Sequence, residues 1–190
     1  GFEGQESIQQ DVCQKRHSPS TKRRQPARMG AMTDMLIKLY DLPPGAAGES
    51  PAGSPAALVR KPIGPEHEAV VAWIQQAFGS RWASEARVAL QNRPVSLYIA
   101  MQGARLIGFA CYDATARGYV GPIGVDEAAR RSGTGAALLR AALADMRAAG
   151  YGYAIVGAVG AKEFFTRVAG ASDIADSTPG LYAGMYRGAD

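Results

Sequence analysis

"VDEAARRSGTGAALL", Val125 to Leu139, decides the fold. Arg130 and Arg131 stand ahead of Ser132 and two glycines, Gly133 and Gly135, and an apolar run of helical spacing follows at once. The spacing predicts a helix from Ser132 to Ala149, with Leu138, Leu139, Ala142, Leu143 and Met146 inward and Gly150 as its stop. Arg140, Asp145 and Arg147 fall on its outward face. The first-turn amides of such a helix, at Gly133, Thr134, Gly135 and Ala136, have no intrahelical acceptor, and the missing side chains let a bulky anion approach them. The helix dipole favours an anion there by about 0.3–1 kcal/mol per contact. Arginine at the positive end of a helix is unfavourable alone, so Arg130 and Arg131 point to an anion held by charge-assisted hydrogen bonds, and the site suits a pyrophosphate.

The elements on either side set the class. Upstream, "GYVGPIGVD" is a strand that Gly121, Pro122 and Gly124 interrupt, which predicts a bulge or an unpaired edge. Before it, "VSLYIAMQGARLIGFACYD" alternates apolar and polar residues around a "QG" turn and predicts a hairpin, with Cys111 filling the core. Two helices precede the hairpin. One carries Val70, Val71, Ile74 and Phe78 on one face and stops at Gly79; the other has Ser80 as its cap, carries Trp82, Ala86, Ala89 and Leu90, and breaks at Arg93-Pro94. A short strand in "ALVRKPIG" opens the set. Downstream come the strand "YAIVGAV", the short helix "AKEFFTRVAG", and one or two closing strands around Ile174 and Leu181 to Tyr186. The order is β-α-α-β-β-β-α-β-α-β(-β), an α+β fold of one domain over residues 58–190.

Residues 1–57 lie outside that domain on sequence grounds. Residues 1–31 are basic and lack apolar periodicity, and are expected to be a disordered extension, an expression remnant or the product of an upstream start. "LPPGAAGESPAGSPAA", Leu42 to Ala57, has the composition of a flexible linker. Most of the net charge of +4 comes from this extension, which holds Lys15, Arg16, Lys22, Arg23, Arg24 and Arg28, and the remainder is close to neutral, so no basic nucleic-acid face is expected on the fold. No run reaches the roughly 18 apolar residues of a membrane span. Two cysteines, Cys13 and Cys111, give no disulfide or metal framework, and the opening residues lack a secretory pattern, so a cytoplasmic protein without a metal is expected.

Three phosphate loops are separable. A P-loop needs Lys-Ser/Thr after its last glycine, where Ala136-Ala137 stands, and a dinucleotide loop needs a third glycine where Leu138 stands. The remaining pattern, Arg or Gln, two residues, Gly, one residue, Gly or Ala, is met by Arg130, Gly133 and Gly135, and the stretch resembles the signature of the GCN5-related N-acetyltransferases. The resemblance runs from about Leu58 to Tyr186 and includes "RLIGFACYD" as the family's third strand. It implies a mixed, mostly antiparallel sheet flanked by helices, with a splayed central strand pair. It also implies acetyl-CoA as acyl donor, with its pantetheine arm on the backbone of Ile123, Gly124 and Val125 and its pyrophosphate on Arg130, Arg131, Ser132, Gly133, Thr134, Gly135 and Ala136. The acceptor implied is a primary amine, of a small molecule, that attacks the thioester directly in a ternary complex; a homodimer is common in the family.

The chain departs from the family at one place. Members often carry a tyrosine in "AxxLYxKxGF", where this chain has Phe165, which has no proton to give a thiolate. Either the thiolate leaves unassisted, or Tyr182, Tyr186 or Tyr153 substitutes, or activity is weak. Glu85, Asp113 and Glu127 are candidate bases, and Glu85, beside Trp82 and Ser84 on a helix that in this family walls the acceptor pocket, is the favoured one. Phe165 also motivates an alternative, a non-catalytic acyl-CoA-binding sensor or partner-binding module. A weaker third option is an acetyltransferase guided to protein or nucleic acid by the basic extension.

Overall fold

The computed structural model describes residues 32–42 and 57–186; the expected extension over 1–31 and nearly all of the linker fall outside them. The elements are β1 (Met35–Lys38), β2 (Leu58–Arg60), α1 (His67–Phe78), α2 (Ser80–Gln91), β3 (Leu97–Gln102), β4 (Arg105–Tyr112), β5 (Val120–Val125), α3 (Thr134–Ala148), β6 (Tyr153–Val156), α4 (Lys162–Ala169) and β7 (Ser172–Asp173). They form two antiparallel sheets, β2-β3-β4-β5 and β6-β1-β7.

The four-stranded sheet follows from its sequence. β3 and β4 pair from Leu97 opposite Cys111 to Gln102 opposite Arg105, around Gly103 at φ +58, which is the hairpin that "QG" predicts. Leu97, Ile99, Phe109 and Cys111 pack against Val70, Val71 and Ile74 of α1 and Ala83, Ala86, Ala89 and Leu90 of α2. Gly79, at φ +95, ends α1 and starts α2, so Ser80 is the first residue of α2 and caps nothing. On the other face Leu138 of α3 meets Ala100, Ile107 and Ala110. Leu139, Ala142, Leu143 and Met146 of α3 reach the second sheet, where they meet Ile37, Leu39 and Val156. One helix therefore roofs both sheets, which fixes how they sit relative to each other.

Asp145 is not outward. It is half-buried, with Lys61 Nζ 2.6 Å and Tyr112 OH 2.8 Å from Oδ2. The helical repeat alone put it on the polar face; its partners come from remote segments.

Two corrections concern the ends of the domain. The fold does not begin at residue 58: β1, which pairs Met35 with Val156 and with Asp173, is the central strand of its sheet. Met35, Ile37 and Leu39 are buried while Lys38 and Tyr40 are exposed, a period of two that is legible in "MLIKLY". Four residues between polar and Pro/Gly-rich chain are too few for pattern alone to assign them. The expected strand over Leu181 to Tyr186 is instead a single 3₁₀ turn, Gly180–Tyr182, framed by Pro179, which has no N–H for a ladder, and by Gly180 and Gly184 at φ +55 and +70. Ile37→Ala is expected to cost about 2–5 kcal/mol, as for other large-to-small changes in a core. Denaturant unfolding checks this, and a loss below about 0.5 kcal/mol, the level of surface changes, would take β1 out of the core. Among the described residues no helix is long and apolar enough to cross a membrane.

Candidate functional site

The site begins at an irregularity in β5. Ala110 faces Ile123 and Tyr112 faces Val120, so Gly121 and Pro122 together oppose Cys111 alone, the bulge expected from Gly and Pro in this strand. Beyond it, Asp126 N–H donates to Ile107 O at 2.8 Å. Alternation along an antiparallel ladder then turns the polar groups of Gly124 toward β4 and those of Ile123 and Val125 away from it. On that far side, among the described residues, the backbone pairing between the two segments is a single parallel bridge between Tyr119, just ahead of β5, and Ile155 of β6, with Ile155 N–H on Gly118 O at 2.9 Å. Past the bridge β6 bends toward β1, where Ala158 N–H reaches Asp34 Oδ1 at 2.8 Å and Val159 N–H reaches Thr33 O at 3.1 Å. The two strands diverge into a cleft, the splayed pair that the resemblance implies.

The three residues expected to line this edge are not equivalent. Ile123 and Val125 offer main-chain groups to the cleft, although Val125 O already accepts from Arg130 Nε at 3.3 Å. Gly124 has a different part: a Cβ there would lie 2.7 Å from both Phe78 and Phe109, so it is glycine because those rings pack against its Cα.

The cleft opens onto the loop before α3. Asp126 Oδ1 accepts Ala128 N–H at 3.1 Å and starts the turn Glu127–Ala129. Arg131 at φ +64 and Gly133 at φ +85 are left-handed, and Gly133 caps a helix that starts at Thr134, two residues later than predicted. The first helical bond is Ala137 N–H to Gly133 O, 3.0 Å. Among the described residues nothing accepts from the amides of Gly133, Thr134, Gly135 and Ala136, which therefore form a set of donors at the positive end of a 15-residue helix. Ser132 Oγ donates to Ala129 O at 2.7 Å and lies 2.8 Å from Thr134 Oγ1, so these hydroxyls brace the turn. Arg130 and Arg131 are exposed, and Arg130, besides its Nε bond to Val125 O, has a loose pairing with Glu127 at 3.9 Å. Both guanidiniums remain available to an anion, and the donor set fits the pyrophosphate of a coenzyme A.

A cluster of polar side chains stands at the bridge end of the cleft. Thr115 Oγ1 donates to Glu85 Oε1 from the turn between β4 and β5, and burial followed by the charge of Glu85 pushes the Cys111 thiol up, which locates that carboxylate next to the bulge. Tyr182 reaches the same place from the C-terminal segment. Its hydroxyl lies against the Cα of Gly157, where any side chain would collide with it, and Tyr119 flanks the same glycine. Burial, then the carboxylates of Glu85 and Asp34, raise the Tyr182 phenol, so it stays protonated at neutral pH. Glu85 and Tyr182, remote in sequence, thus meet. Asp34 was not foreseen; it is 4% exposed, and its only signal was a position just ahead of the alternating "MLIKLY".

The other candidates lie elsewhere. Asp113 is committed to Gly118 N–H at 2.6 Å and Tyr151 OH at 2.8 Å, and Glu127 is exposed. Tyr153 is hydrogen-bonded to Tyr40 at 3.3 Å at the far end of β6, and Tyr186 is 87% exposed. Phe165 packs into the core beside Phe164.

Comparison with solved structures gives the same fold three times over. A GCN5-related glucosamine N-acetyltransferase region of a fungal multi-domain GH3 β-N-acetylglucosaminidase matches with TM-score 0.60 and 15% identity, over 77% of this chain and 20% of that one. A GCN5-related N-acetyltransferase from Sphaerobacter thermophilus matches with TM-score 0.57 and 22% identity, over 76% and 50%. Another from Kribbella flavida matches with TM-score 0.53 and 21% identity, over 76% and 55%. The chain thus spans from a fifth to about half of the length of these structures. No curated protein matches the sequence significantly. The model of the acetyltransferase (GNAT) family covers residues 67–171, from α1 through the cleft to the end of α4, and with more than half of its length matched the chain belongs to that family.

Proposed function

We propose that the protein transfers an acetyl group from acetyl-CoA to a primary amine of a small molecule, by direct attack and without a covalent enzyme intermediate. The observation that carries this is the continuity of one unpaired strand edge, Ile123 and Val125, with the unpaired amides of Gly133 to Ala136. The edge suits an amide-bearing pantetheine arm and the amides suit its pyrophosphate. The bound donor supplies the acetyl group as a thioester. The chain's residues do the rest: the free N–H groups of Ile123 and Val125 are available to a carbonyl oxygen that gains charge during attack. Glu85 takes the proton that an ammonium must lose before its nitrogen can attack, and Thr115 orients the carboxylate. Tyr182 donates a hydrogen bond to the departing thiolate, in place of the tyrosine that Phe165 replaces. Charge supports the acceptor class. Among the described residues neither Glu85 nor Asp34 has a cationic partner, so the substrate's ammonium is the cation that this mouth lacks.

A thiol-release assay with acetyl-CoA and a panel of polyamines, amino sugars, aminoglycosides, amino acids and peptide N-termini tests this. Turnover with at least one amine is expected, together with calorimetric binding of acetyl-CoA. Binding without turnover across the panel would favour the sensor alternative, and absence of binding would end both.

A further inference from the structure

We infer that Asp34 is a positioning residue that seats Tyr182 at the mouth of the cleft; this rests on the role proposed for Tyr182. Asp34 joins three segments that also converge at Gly157, where Tyr182 and Tyr119 meet. Its Oδ1 accepts Ala158 N–H at 2.8 Å, at the residue after Gly157 and in a left-handed conformation, φ +46. Its Oδ2 faces Tyr119 OH at 3.4 Å, on the β5 side of the cleft. A Cβ at Gly180, two residues before Tyr182, would stand 3.4 Å from the same oxygen. The main chain of Asp34 holds the C-terminal segment as well: its N–H donates to Ser177 Oγ at 2.8 Å, and its carbonyl accepts Ile174 N–H at 2.9 Å. Ser177 Oγ in turn donates to Ile174 O at 2.8 Å, and Thr178 Oγ1 to Met32 O at 2.9 Å.

These bonds hold the segment at residues 174–178; between there and Tyr182 the Asp34 carboxylate at Gly180 is the contact with the chain just ahead of β1 that the structure records among the described residues. Residues 174–186 form no ladder beyond β7, and Leu181, Met185 and Tyr186 are exposed. The Tyr182 hydroxyl nevertheless sits so close to Gly157 that a side chain there would collide with it. One carboxylate fixes both sides of that contact, since it binds the backbone next to Gly157 and abuts the turn that delivers Tyr182. Misplacing a reacting group by about 1 Å can cost on the order of 100-fold in rate. Removing the side chain leaves Val159 N–H on Thr33 O and the β1–β6 ladder in place, so the cleft persists.

The test is a double-mutant cycle in the full chain, using an amine identified by the thiol-release screen. Asp34→Ala is expected to lower kcat at least about tenfold while the calorimetric affinity for acetyl-CoA stays within about twofold. Added to Tyr182→Phe, it should lower kcat by no more than about a further twofold, because both changes remove one function. Asp34→Asn keeps an oxygen for Ala158 and should recover most of the kcat lost in Asp34→Ala. Its alkaline limb should lie at lower pH than that of the wild type. Asp34 and Glu85 are the charged groups facing Tyr182, with Tyr119 alongside, and loss of one negative charge lowers the pH at which the phenol ionises. A purely structural role would not move that limb. If the two losses multiply, or the limb stays fixed, the inference about Asp34 fails while Tyr182 stands. If Tyr182→Phe turns over like the wild type, the role of Tyr182 fails and takes this inference with it. Should Asp34→Ala not fold, Ser177→Ala, which frees the same segment, runs the kcat cycle with Tyr182→Phe, and Asp34→Asn is judged by its alkaline limb alone.

Discussion

Gly133→Glu loses about 100-fold or more of the affinity for acetyl-CoA in isothermal titration calorimetry, the largest effect expected of any single change in the chain. Two costs add. Gly133 caps α3 at φ +85, and a side chain held there costs roughly 1–2 kcal/mol. A loop that relaxes to avoid this strain no longer aims its amides together. A carboxylate among those amides also competes for them and repels the phosphates, and one lost charge-assisted hydrogen bond is worth about 1.5–3 kcal/mol. With about 1.4 kcal/mol per factor of ten, the sum is two orders of magnitude or more. Gly135→Ala is the matched comparison. Its φ is not left-handed, and its Cβ would meet Val125 Cγ2 at 3.5 Å and Phe164 at 3.6 Å, ordinary contact, so a loss below about fivefold is expected. Equal losses in the two variants would mean that bulk alone governs the loop, and wild-type affinity in Gly133→Glu would remove the pyrophosphate from this site.

Tyr182→Phe is expected to lower kcat about 100-fold, the low end of the range for a positioned proton donor, with the acetyl-CoA dissociation constant unchanged. The phenol is raised above its ordinary value near 10, whereas a thiol ionises near 8.5, so complete proton transfer to the thiolate is uphill. The role proposed for the hydroxyl is therefore hydrogen bonding as the carbon–sulfur bond breaks, and the proton that the thiolate finally takes is the second one shed by the attacking nitrogen, passed on through water. Only the protonated phenol can do this. Wild-type kcat should fall on the alkaline side as Tyr182 ionises, at a pH above the usual phenol range, and Tyr182→Phe should lack that limb. A pH profile identical in both proteins would assign the limb to another group.

Local sequence carried most of this architecture but not all of the site. The hairpin, α1, α2, α3 and the bulge in β5 follow from periodicity and from Gly and Pro at positions that need them, which are properties of neighbouring residues. So does the loop, since Arg130, Gly133 and Gly135 lie within six residues of one another. What sequence could not supply is convergence. Glu85 and Tyr182 are individually plausible, but their approach, close enough for the carboxylate to raise the phenol, depends on how α2, the bridge at Tyr119 and the last turn pack. Tyr182 does so from a 3₁₀ turn in place of the expected strand. The sequence places Asp145 on the outward face and says nothing of Asp34 for one shared reason: the partners that bury each acid lie far away in sequence.

The place of β1 has a consequence for biogenesis. The four-stranded sheet and its two helices come from one uninterrupted stretch, Leu58 to Val125, and can assemble on the ribosome as soon as that stretch emerges. Met35 emerges earlier yet must wait for Val156 and Asp173 before it has neighbours, and pairings that close such long loops form slowly. β1 is therefore among the last of the described strands to dock. A nascent chain exposes an apolar edge until Asp173 has emerged, and the cleft exists only from then on.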